Sequence, residues 1–106
     1  MMQSKYKVQI AWRADNMLLL HVEFLTQLSP KAARMLILEF KKAKNRLSDN
    51  PFQFSFADEL DVPGITPEKY RKCLFSGRFK AIFLIEGKDV FVDAIIDCRQ
   101  ENNNLY

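Results

Sequence analysis

Residues 6–12, YKVQIAW, alternate along the chain: Tyr6, Val8, Ile10 and Trp12 fall on one side, Lys7, Gln9 and Ala11 on the other. A period of two is that of a half-buried strand. The next stretch, ADNMLLLHVEFLTQL, changes period. Met17, Leu18, Leu20, Val22, Phe24, Leu25 and Leu28 form a helical stripe, with Asp15 or Asn16 as the expected N-cap. SPKAARMLILEFKKAKNRL is a second helix: Ser29 caps it, Pro30 occupies its first turn, and Ala33, Leu36, Ile37, Phe40, Ala43 and Leu47 recur at three and four. The short join at 28–30 predicts an antiparallel helical hairpin, and Asn50-Pro51 ends it.

From Phe52 to Lys69 the pattern breaks around Pro63, Gly64 and Pro67, although FQFSF reads as an extended piece packed on the core. Three apolar, aromatic-rich runs follow: YRKCLF, RFKAIFLIE and VFVDAIIDC. Ser76-Gly77 and Gly87-Lys88-Asp89 separate them, predicting an antiparallel meander. The order β-α-α-β-β-β over residues 1–106 predicts one α+β domain of two layers, a helical hairpin on one face of a mainly antiparallel four-stranded sheet. Alternation places Val90, Val92, Ala94, Ile96 and Cys98 against the helices, with Phe91, Asp93, Ile95, Asp97 and Arg99 opposite them. The same bookkeeping puts Arg71, Lys80 and Arg99 on or near one open, basic, partly aromatic surface.

The formal charge of +3 says little until it is divided along the chain. Residues 31–46 carry Lys31, Arg34, Lys41, Lys42, Lys44 and Arg46 against Glu39 alone, whereas 49–68 carry Asp49, Asp58, Glu59, Asp61 and Glu68. The two stretches either neutralise each other or leave a basic surface for a polyanion or an acidic protein. Cys73 and Cys98 lack metal-ligand spacing and read as buried thiols in a reducing compartment. Three glycines in all, no zinc pattern and no phosphate loop make metal and nucleotide cofactors poor expectations. No window approaches the roughly 18 apolar residues of a membrane span, and the charged N-terminus has no apolar signal core. A cytoplasmic protein is expected.

The strand order, LSPKAARMLILEF opening the second helix, and YRKCLFSGRFKAIFLIEGKDVFVDAIIDCRQ together resemble the RelE/ParE superfamily of toxins from type II toxin–antitoxin (plasmid stabilization) modules. The resemblance spans nearly the whole chain and is weakest over 49–69. It implies a small toxin neutralised by a cognate antitoxin. RelE-like members cleave mRNA on the ribosome without a metal, and ParE-like members inhibit DNA gyrase. Carried over by position, the RelE-like catalytic set falls on Arg71, Lys80, Arg99 and Tyr106. In such chemistry the adjacent 2′-OH attacks the phosphate, and fixed cations stabilise the phosphorane. Tyr106 would stack a base or stand near the transferred proton. Cys73 stands where RelE-like enzymes carry a further lysine. The alternatives are therefore a gyrase-binding toxin or a degenerate, non-toxic member, with Arg99 a structural partner of Asp97 or Asp93. His21, in the first helix, reads as an interfacial residue.

Overall fold

The computed structural model describes residues 5–98. Strand β1 (Lys7–Ile10) leads directly into helix α1 (Trp12–Leu28), which is followed by α2 (Pro30–Asp49) and a short 3-10 turn over Pro51–Gln53. Strands β2 (Arg71–Phe75), β3 (Phe79–Glu86) and β4 (Asp89–Asp97) complete the sheet. Its order is β1-β4-β3-β2, with β1 parallel to β4 and the other neighbours antiparallel. The two helices cover one face, giving the expected two-layer α+β architecture.

Local chemistry explains most of the boundaries. At the hairpin corner the Ser29 N–H closes α1 on the Leu25 carbonyl at 2.7 Å, while its Oγ accepts from the Ala32 N–H at 3.2 Å. Pro30 follows at the first helical position, where its missing donor costs nothing. The start of α1 differs from expectation. Ala11 holds the N-cap position without a side-chain cap, and its N–H still donates to the Val92 carbonyl as part of the sheet. Strand and helix thus abut with no room for a polar linker. Asp15 lies inside the first turn, where a negative charge suits the helix dipole. Trp12 opens the helix and is 81% exposed, so it does not continue the β1 core face.

The core lies between the layers. Leu36, Phe40, Ala43 and Leu47 of α2, with Ala14 and Leu25 of α1, close over Phe75, Phe79, Phe83, Val90, Val92 and Ile95. Phe40, Phe75 and Phe79 form a chain of ring contacts, with centroids 5.4 and 5.9 Å apart. The helical stripe of α1 is broader than its buried part, and Leu20, Phe24 and Leu28 remain on the surface.

Strand β4 corrects the face assignment made from alternation. Ile82 pairs with Ala94, but Phe83 pairs with Val92, so Asp93 is an extra residue in the ladder. A bulge inserts one position and reverses the phase of everything after it. Val90 and Val92 face the helices as expected. Beyond Asp93 it is Ile95 and Asp97 that are buried there, in place of Ala94 and Ile96.

Candidate functional site

Two lysines on the open side of the sheet converge on one carboxylate. Lys72 pairs in register with Ile82, and Leu74 with Lys80, so both lysines point to the face opposite Cys73, Phe75 and Phe83. The 57–69 segment crosses this face and delivers Asp61. Its turn is self-supporting: Asp58 Oδ1 accepts from the Leu60 and Asp61 N–H groups at 2.9 and 3.3 Å, and Asp61 Oδ2 accepts from the Asp58 N–H at 2.8 Å. Lys80 Nζ then reaches Asp61 Oδ1 at 2.5 Å, and Lys72 Nζ reaches Oδ2 at 3.0 Å. Asp61 and Lys80 are 6% and 7% exposed.

Burial alone would raise the Asp61 pKa. Hydrogen bonds from Lys80, the Asp58 N–H and Lys72 outweigh it and hold the carboxyl well below the usual carboxylate range. Asp61 therefore stays ionised at neutral pH. The Lys80 charge is spent on Asp61 in a nearly water-free setting, and presenting it to a phosphate requires the 57–69 segment to move.

Arg71 belongs to the other face, which corrects its expected placement beside Lys80. It pairs in register with Phe83 and alternates with Cys73, a core residue. Its Nη1 donates to the Phe54 carbonyl at 2.6 Å, and its guanidinium lies 5.4 Å from the Phe52 ring centroid and 4.1 Å from that of Phe56. The backbone around it is locked by paired hydrogen bonds, Ala57 N–H to Tyr70 O at 2.8 Å and Lys72 N–H to Ser55 O at 3.0 Å. Of the FQFSF stretch, which was expected to be extended throughout, Phe52 and Gln53 lie in the 3-10 turn and only the part from Phe54 to Phe56 runs extended along the outer edge of β2. Arg99 and Tyr106 lie outside the described residues.

Asp97 and Asp93, the aspartates named as possible partners of Arg99, each bind a cation among the described residues. Arg78 clasps Asp97 with Nε–Oδ1 at 3.0 Å and Nη2–Oδ2 at 2.8 Å, tying the β2–β3 turn to the end of β4. Asp97 in turn raises the Arg78 pKa, mainly through that hydrogen bond. Asp93, thrown outward by the bulge, meets Arg13 at 2.9 Å. His21 Nε2 lies 3.2 Å from the Ile95 carbonyl oxygen, and its ring packs on Phe79 at 5.0 Å. Since a carbonyl only accepts, that nitrogen carries the proton. Among the described residues, no group of three or more His, Cys, Asp or Glu side chains is placed to hold a metal ion. Nor is any helix there long and apolar enough to cross a membrane. Cys73 is buried and Cys98 half-buried, and neither is in a disulfide.

Asp61 and Lys72 were not among the residues singled out from the sequence. The available signal was the spacing of Lys72 and Lys80 about a two-residue turn centre, which phases them onto one face, and an acidic cluster in a long loop with nothing local to neutralise. The basic stretch of α2 is not what neutralises that loop: within it Lys42 pairs with Glu39 at 3.3 Å, and Asp61 goes to the sheet.

No protein-family model and no curated protein matches the chain. Among solved structures, a chain described as "Chromosomal ParDE TA system from P. aeruginosa" superposes with a TM-score of 0.69 at 17% identity, over 88% of this chain and 96% of that one. The fold is therefore the one that the resemblance to RelE/ParE toxins implied.

Proposed function

We propose that this chain is the toxin of a type II toxin–antitoxin module, acting in the cytoplasm by binding a protein target rather than by cutting mRNA. One observation carries the choice of mode. Of the nominated RNA-cleaving residues that are described, Arg71 and Lys80 lie on opposite faces of the sheet, and Lys80 is buried against Asp61. Two cations separated by a sheet do not stabilise one phosphorane. DNA gyrase is the protein target that the ParE side of the resemblance supplies.

The antitoxin partner fits the outer surface of the helical hairpin. Leu20, Phe24 and Leu28 recur every four residues and form an exposed row on α1, and Met35 and Leu38 are exposed on α2. A continuous apolar row on a helix is the usual seat for the apolar face of a segment that folds as it binds.

Induced expression should arrest growth, and co-expression of a cognate antitoxin should relieve it. Purified protein should inhibit supercoiling by gyrase and leave ribosome-bound mRNA intact, and Arg99→Ala/Tyr106→Phe should remain as toxic as the wild type. Cleaved mRNA, with toxicity lost in that double variant, would establish the RelE-like mode instead. Unimpaired growth without any antitoxin would favour a non-toxic member.

A further inference from the structure

The end of the sheet where β1, β2 and β4 begin carries cations that the Asp61 triad does not use. Lys5, Lys7, Lys44 and Lys88 line an open cleft of about 500 Å3, with Tyr6 and Ser48 between them. Among the described residues, none of these four lysines makes an ion pair. Asp89, the carboxylate in register with Lys7, accepts instead from Gln9 at 3.1 Å. The cleft does not end in bare charge. Lys88 lies 5.3 Å from the Tyr6 ring centroid, and Tyr6 meets Phe52 edge-on at 6.0 Å. Phe52 leads through the Arg71 guanidinium to Phe56. Phe52 and Phe56 are 54% and 41% exposed.

Cations and rings are therefore in continuous contact from Lys88 through Tyr6, Phe52 and Arg71 to Phe56. Uncompensated lysines in one cleft repel each other until a polyanion joins them. The exposed parts of Phe52 and Phe56 beside such a cleft suit unstacked bases, which a duplex keeps inside and an acidic peptide does not have. We propose that this strip binds single-stranded nucleic acid, with phosphates in the lysine cleft and bases on Phe52 and Phe56. The proposal requires neither growth inhibition nor an antitoxin, so it stands or falls separately from the toxin reading.

The test is fluorescence anisotropy of the full chain with labelled oligo(U) and oligo(dT) over a salt series. Binding should weaken linearly in log–log form, with a slope of about −2 to −3, since each phosphate contact on a single strand contributes roughly −0.7. Lys44→Gln/Lys88→Gln should flatten that slope by about 1.4. Phe52→Leu should weaken binding at least about fivefold and leave the slope unchanged. Phe56→Leu, on a separate segment, repeats the ring test, and thermal melts check that each variant folds. Identical affinity and slope in the lysine double variant would overturn the proposal. So would polyglutamate binding as tightly as the oligonucleotides at equal salt, or both ring variants binding like wild type.

Discussion

Replacing Asp61 with alanine removes the acceptor of two lysines and of the Asp58 N–H. The Lys80 side chain is 9% exposed, so the substitution leaves a nearly buried ammonium beside a cavity where its counter-ion stood. Breaking a buried pair from one side costs about 3–5 kcal/mol. The lower end applies here, because Lys72 is on the rim and the exposed 57–69 segment can admit water to Lys80. A loss of about 3 kcal/mol corresponds to a melting temperature lowered by roughly 12–24 °C in a domain of this size. Urea titration followed by circular dichroism measures it. The decisive comparison is Asp61→Ala/Lys80→Met: removing both charges should recover at least about half of the loss, because a paired deletion leaves no orphan charge. If Asp61→Ala lies within about 0.5 kcal/mol of wild type, or the double variant is no better than the single, the triad is not what holds the loop on the sheet.

Three further outcomes follow from the same geometry. Because the folded Asp61 pKa lies below its ordinary 3.8, its contribution is complete above that value and is lost as pH falls towards the folded one. The stability gap between wild type and Asp61→Asn should therefore be widest near neutral pH and close in acid, as urea midpoints across that range would show. Arg78→Lys keeps the charge but not the two-pronged grip on Asp97, so it should cost about 1–2 kcal/mol by the same titration, and a neutral effect would mean the bidentate geometry adds nothing beyond the charge. Burial pushes the Cys73 thiol pKa up and outweighs the opposing charge of Arg46. Cys73 should resist iodoacetamide in the native protein and label only as urea unfolds it, which peptide mass spectrometry resolves.

The helical hairpin was legible because each of its signals is local. Ser29-Pro30 carries the cap and the first-turn residue side by side, and the three–four spacing from Ala33 to Leu47 is a property of one helix. The meander was legible for the same reason, since each turn separates runs that are apolar on their own. Where α1 begins was less so: Trp12 continues the β1 alternation in sequence, but the chain has already turned into a helix beside Val92.

The site depended on contacts that no local pattern contains. One inserted residue, Asp93, exchanged the faces of Ala94 and Ile95, and a bulge is defined by the partner strand rather than by its own sequence. Arg71 looked like a companion of Lys80 because both are basic strand residues, yet the register with Phe83 turned it to the helix side. Asp61 meets Lys72 and Lys80 across 11 and 19 residues of chain, through a loop whose periodicity carries no signal. From the sequence alone came the two-layer fold and its order of elements, because periodicity and turn chemistry act over a few residues. Which cations are exposed was decided by tertiary structure, because a charge is neutralised by whatever the fold brings within a few ångströms of it.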